Sequence, residues 1–244
     1  MITRNPKSRF DLNIKKSEKV LEVGGGHNPH PRSNVVIDKF IESNYHRSGD
    51  IKVLKNQKFM QGDGENLPFA DKEFDYVICC HVLEHVENPT KFLSEQFRVA
   101  KRGYIEFPSI IGEYLVPKES HRWVMHEMNG TLYIVEKEKA QFQSPYDLGE
   151  LIQEYLPKNS IGFKVVERTS PNLLTVRIEW DSSFDHVVEP TDPQIRQYFK
   201  GPWKLEWADA FFPEKSKWQE LKDTSSAMGD ILKSVFRSKV LKKS

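Results

Sequence analysis

His81, Glu84 and His85 lie in the stretch HVLEHVENPT and spell H-x-x-E-H, the spacing of an inverted zinc-protease motif. Two imidazoles and a carboxylate can hold a divalent metal, or they can orient one another beside other chemistry. The metal reading needs a helix that puts both histidines on one face, one turn apart. HVLEHV instead follows directly on the apolar run EFDYVICC and precedes Asn88-Pro89, an N-cap with proline at the first helical position. It reads as a turn or at most one helical turn, and no distant third ligand is marked. No metal is expected, and Glu84 and His85 are expected to orient the loop.

A second group of residues could bind a ligand. In LEVGGGHNP, Glu22 stands two residues before Gly24 of a G-x-G turn, and Gly24, Gly25 and Gly26 follow an apolar run. Glycines there permit positive φ and let a ligand approach the backbone closely. Asn28-Pro29-His30-Pro31 discourages an ordinary helix after the turn, so a pyrophosphate would lack its helix N-terminus. A ligand without phosphate fits better. Asp38 ends the next apolar run, where a carboxylate can accept hydrogen bonds from a ribose diol. Asp63-Gly64 can accept from an exocyclic amine and donate to a ring nitrogen. Each residue alone reads equally well as a turn residue; the case rests on their order.

These residues need elements that bring them together. KVLEV, NVVID, KFMQGD, EFDYVICC and GYIEFPS read as five strands. TKFLSEQFRVA reads as an amphipathic helix that Gly103 stops. Strands alternating with loops and helices predict an α/β fold, a Rossmann-like, mostly parallel seven-stranded sheet with flanking helices and one antiparallel strand. Right-handed crossovers put the carboxyl ends of the strands on one edge, where ligands bind. Asn129-Gly130 between two alternating runs predicts a hairpin inside an insertion at about 110–144, projecting over that edge. A helix over 144–156, capped by Ser144, and two closing strands, 161–168 and 173–180, joined by a Ser-Pro-Asn turn, complete a domain over 1–180. Residues 181–244 read as an irregular extension ending in a basic amphipathic helix over 227–244.

Composition narrows the function. Lys and Arg number 36 against 35 Asp and Glu, so no general attraction to nucleic acid is expected. No apolar run reaches the roughly 20 residues of a membrane span. The only cysteines, Cys79 and Cys80, are neighbours, which argues against a disulfide framework and for a reducing, cytoplasmic setting.

KVLEVGGG, VVID, GDGENLPFADKEFDYVICCHVLEHVENP and GYIEFPS together resemble the class I S-adenosylmethionine-dependent methyltransferases. They are most similar to the branch with a D-x-E-x-L-P-F segment before the fourth strand and V-L-E-H-V after it. The resemblance covers about residues 17–110, and more loosely 145–180. It implies that Glu22 and Gly24–Gly26 hold the methionine half of the cofactor. Asp38 would take the ribose, Asp63 and Gly64 the adenine, and Cys80 and His81 would form the neighbouring wall. Methyl transfer from a sulfonium mainly needs alignment and exclusion of water, and a hydroxyl acceptor adds the need for a base. His81, and His121 and His126 in the hairpin region, are the candidates. The expected function is methyl transfer to a small-molecule or glycan-type acceptor. The alternatives are a non-catalytic S-adenosylmethionine-binding subunit and a nicotinamide dehydrogenase. The terminal helix is expected to dock on the domain rather than bind an anionic membrane surface.

Overall fold

The computed structural model describes residues 1–44, 49–170, 172–200, 202–212 and 214–241, with backbone alone for 234–241. A seven-stranded sheet forms its centre. Its strands are β1 (Ile2–Arg4), β2 (Val20–Val23), β3 (Val35–Asp38), β4 (Lys58–Gln61), β5 (Phe74–Cys80), β6 (Ala100–Pro108) and β9 (Thr175–Asp181), in the order β1-β9-β6-β5-β2-β3-β4. β2 to β6 run parallel, and β9 is antiparallel to both β6 and β1. The fold class expected from the sequence is therefore the one found, including the single reversed strand. The chain winds from β2 through β3 to β4 in one direction and then crosses to β5 and β6. That reversal opens a crevice at the carboxyl ends of β2 and β5.

The seventh strand differs from expectation. IGFKVVER is a helix, α5 (Ile161–Thr169), with Ser160 Oγ accepting from Phe163 N–H. The N-terminal Ile2–Arg4 takes the sheet-edge place instead. β-Branched residues favoured a strand here, but a capped helix start and packing against α8 (Lys217–Leu241) override that preference. Pro171 of the proposed Ser-Pro-Asn turn lies outside the described residues. Ser144 does not cap a helix; its hydroxyl donates to backbone carbonyls of Tyr114 and Tyr146. The expected helix begins later, as π-helical turns over Glu150–Tyr155 followed by α4 (Leu156–Asn159).

α1 (Pro89–Val99) starts as expected, with Asn88 accepting from Lys91 N–H. Phe92 and Leu93 are fully buried, each contributing roughly 1.5–3 kcal/mol of apolar burial. Gly103 is not its stop. The helix ends at Val99, and Gly103 sits inside β6, where a Cβ would lie 2.6 Å from Val77 and 2.7 Å from Trp180.

The Asn129-Gly130 hairpin is present as β7 (Trp123–Met128) and β8 (Thr131–Glu136). It is reached through α2 (Ile110–Leu115) and followed by α3 (Lys137–Ala140). β10 (Asp185–Val188) pairs with β8 in parallel, so the segment after 181 is more ordered than its composition suggests. One hairpin face, with Met125 and Ile134, joins the main core. The other, with Val124 and Val135, is closed by Phe199, Trp207 and Phe211, which follow α6 (Pro193–Gln197) and lie around α7 (Ala208–Phe211). α8 starts earlier than expected and docks with Ala227 and Ile231 buried, while Lys7 pairs with Asp230 at 3.7 Å. Met228 and Leu232 remain exposed, and the side chains of Val235, Phe236, Val240 and Leu241 lie outside the described residues. Among the described residues no helix is long and apolar enough to cross a membrane.

Candidate functional site

Two hollows adjoin at the carboxyl edge of the sheet. The first is a cleft lined by Gly24 and Gly26 after β2, Asp38 at the end of β3, Asp63 and Gly64 after β4, and His81 after β5. The second is a larger cavity of about 540 Å³, against about 140 Å³ for the cleft. His81 and His85 line both and mark where they meet. The cleft is small for a pocket that encloses a ligand. Lys39 and the exposed Phe40 also line it.

Backbone geometry shapes the cleft. Gly24 has φ +74°, and a Cβ there would meet Val82 at 2.2 Å. Its N–H donates to Ile37 O at 2.8 Å, tying the turn to β3. A Cβ on Gly64 would meet the Phe92 ring at 2.4 Å, so helix α1 packs directly beneath the Asp63-Gly64 turn.

The acids differ in what they do. Asp38 Oδ1 accepts from Phe40 N–H at 3.2 Å. Asp63 Oδ1 accepts from Glu65 N–H at 2.9 Å, and Oδ2 pairs with Lys39 at 2.8 Å. Burial acts to raise the Asp63 pKa, but the hydrogen bond from Lys39 and the other partners outweigh it and lower it. Each carboxylate oxygen has two lone pairs, so Asp63 keeps acceptor capacity.

Three expected cofactor residues do not line the cleft. Glu22 is buried and accepts from His30 N–H at 2.7 Å, Ser33 Oγ at 2.7 Å and Arg9 at 3.1 Å. It pins the segment after the glycine turn from below, and burial raises its pKa. Gly25 faces Val36, which a Cβ would meet at 2.5 Å. Cys80 packs on the opposite sheet face, beside Tyr76, Ile78 and Tyr104.

The three histidines named as bases are also placed differently. His81, at φ 54°, has its Nδ1 3.1 Å from Glu84 Oε1 and its Nε2 3.1 Å from Glu106 Oε1. Desolvation opposes its charge, but the two carboxylates outweigh it and hold the pKa well above 6.5. An imidazolium clamped in this way donates protons to its neighbours rather than accepting one. His121 lines the larger cavity, with Nδ1 2.6 Å from Glu113 Oε2. His126 lies in neither hollow; it is fully buried, stacked on Phe211 at 4.4 Å, and burial lowers its pKa to about 3. Alternation along β7 turns it into the apolar cluster beneath the hairpin.

The sequence did not reveal one grouping. Glu84, His85 and His121 offer ligand atoms within 4.8 Å of one another. The motif forms a short 3-10 turn, Leu83–His85, and its third partner comes from the entry to β7, where Arg122 N–H donates to Glu84 O at 2.8 Å. Glu65, Val82, Glu87 and Phe92 also line the cleft without having been singled out. Glu65 could have been found from its place beside Asp63-Gly64; its Oε1 accepts from Glu87 N–H at 2.7 Å and fixes the motif's far end.

Fold and site together describe a mostly parallel α/β protein with a cleft at its topological switch point. Residues 37–105 match a family model described as a methyltransferase domain. The chain is 35% identical over 119 residues, 49% of its length and 52% of the relative's, to an uncharacterised protein of Methanocaldococcus jannaschii. It is 34% identical over 98 residues, 38% of each chain, to a demethylmenaquinone methyltransferase of Paenarthrobacter aurescens. It thus spans about half or less of the curated relatives it matches. A solved SAM-dependent methyltransferase of Aquifex aeolicus matches at 22% identity and a TM-score of 0.31, covering 39% of this chain and 58% of that one.

Proposed function

We propose that the protein binds S-adenosylmethionine in the cleft and transfers its methyl group to a small-molecule acceptor in the larger cavity. One observation carries the reading: Gly24 and Gly26, Asp38, and Asp63-Gly64, far apart in sequence, line a single cleft that adjoins a second cavity at His81 and His85. The family match over residues 37–105 supports it.

In this reading the open backbone at Gly24 and Gly26 receives the methionine half. Asp38 accepts from the ribose diol, and Asp63 accepts from the adenine amine while Gly64 N–H serves a ring nitrogen. Glu22 acts indirectly, by holding the segment after the turn. His81 and its two carboxylates form a rigid wall between donor and acceptor, and His121 faces the acceptor. The lead-in to the hairpin, with Lys118, Ser120 and His121, lines the acceptor side and helps exclude water. Curated relatives include a demethylmenaquinone methyltransferase and a ubiquinone/menaquinone biosynthesis C-methyltransferase, which favours a ring compound over a glycan.

Incubating the protein with methyl-labelled S-adenosylmethionine and a panel of phenols, quinols and glycans tests this. Label should enter a ring compound. Thermal stabilisation by the cofactor with no labelled product from the panel or from cell extract would favour the binding-only alternative.

A further inference from the structure

We propose that Glu84, His85 and His121 bind one divalent first-row transition cation at the wall of the larger cavity. Two imidazoles and one carboxylate with open positions form a donor set that such ions take.

The imidazoles are oriented for this role. His85 Nδ1 lies 2.8 Å from Ser120 O, and His121 Nδ1 lies 2.6 Å from Glu113 Oε2. A carbonyl and a carboxylate only accept, so each ring carries its hydrogen on Nδ1. Metal-ligating histidines are held in this way by outer-shell oxygens. Glu113 is itself fixed, buried and paired with Lys137 at 2.6 Å.

The carboxylate supplies the independent observation. Glu84 is completely buried, its Oε1 takes His81, and its Oε2 has no hydrogen-bond partner among the described residues. An unpartnered buried charged oxygen is costly, and a cation offsets that cost. His81 is excluded as a ligand because Glu84 and Glu106 occupy both its nitrogens. The H-x-x-E-H motif therefore contributes its last two residues, and the third ligand comes from beyond it. First-row ions sit about 2.0–2.2 Å from such ligands. Atoms up to 4.8 Å apart must therefore draw together on binding.

Beside the cleft, such an ion would lower the pKa of an acceptor hydroxyl. The oxygen would then take the methyl group as the sulfur–carbon bond breaks, leaving a neutral thioether while the proton passes to water. This role rests on the methyl-transfer reading; metal binding does not.

The test is calorimetric titration of the chelator-treated full chain with Co²⁺ and with Zn²⁺, alongside the visible spectrum of the cobalt form. We expect one equivalent bound and a ligand-field spectrum of mixed nitrogen and oxygen donors. His121→Ala and His85→Ala should each weaken binding on the order of 100-fold, and Glu113→Gln about 10-fold. Far-UV circular dichroism checks that each variant is folded. Absence of heat and of a cobalt spectrum in the wild-type chain overturns the proposal, as does unchanged affinity in both folded histidine variants. A parallel titration with S-adenosylhomocysteine separates the two readings. Metal without nucleoside binding retains the ion site and removes methyl transfer, and nucleoside without metal binding does the reverse.

Discussion

The two hollows at the sheet edge are built by different means. The cleft is made of strand-end residues, and each sits in a short pattern that gives it its position: Gly24 after β2, Asp38 ending β3, Asp63 after β4. The larger cavity is made of residues that only tertiary structure brings together, with Glu84 from the motif, His121 before β7, and Glu167 in α5. Generic nucleoside recognition can be carried by the parallel sheet itself. In the proposed reading, acceptor chemistry is carried by connections added to it, which vary without disturbing the sheet.

If this division is correct, damage to one side should leave the other intact. The largest effect is expected from Gly24→Val. A β-branched residue at φ +74°, whose Cβ would fall 2.2 Å from Val82, has to displace the turn. Cofactor affinity should fall by about 100-fold or more, while native near-UV circular dichroism persists. Retained affinity in calorimetry would show that the turn does not touch the ligand.

His121→Ala should act on the other side. Methyl transfer should drop by about 100-fold, with the Kd for S-adenosylhomocysteine within about twofold of wild type. An equal loss of cofactor binding would merge the two hollows into one site. Asp38→Ala should cost about 2 kcal/mol of cofactor affinity, roughly 30-fold, through the lost charge-assisted bonds to the ribose. S-adenosylhomocysteine should feel that loss, and 2′,3′-dideoxy analogues should not. A loss as large for the dideoxy compounds would remove Asp38 from the ribose.

An effect on folding stability, not on binding, separates the structural histidines from the site. Burial lowers His126 to about 3, and burial with the nearby Arg9 lowers His30 to about 4. Both begin near 6.5 in the unfolded chain, which therefore binds protons more readily. Their contribution is complete above pH 6.5 and is lost as pH falls towards the folded values, at up to about 1.4 kcal/mol per pH unit for each. Urea unfolding between pH 7 and 4 should show that slope, and His126→Phe beside Phe211 should remove one share of it. An unchanged slope in the variant would mean that another group is responsible.

Much of the cleft was legible because short apolar runs ending in glycine or acid are local signals. The errors have physical causes. Glu22 and Cys80 were assigned to the ligand from position along the chain, but Glu22 pairs with Ile78 in the sheet and Cys80 is two residues further on, so the pleat turns both to the same face and neither lines the cleft. His126 was grouped with His121, although the hairpin pleat buries it. The strand expected at 161–168 had the right residues for either state, and the cap at Ser160 with the docking of α8 decides it. The meeting of Glu84 with His121 depends on the backbone bond from Arg122, which no spacing rule encodes.

The central claim is that the acids and glycines at the sheet edge form a site for a sulfonium nucleoside. Isothermal titration of the full chain with S-adenosylhomocysteine tests it most directly. The account predicts saturable binding of one equivalent that Gly24→Val abolishes and Asp38→Ala weakens. No heat of binding, or heat that both variants leave unchanged, would contradict it.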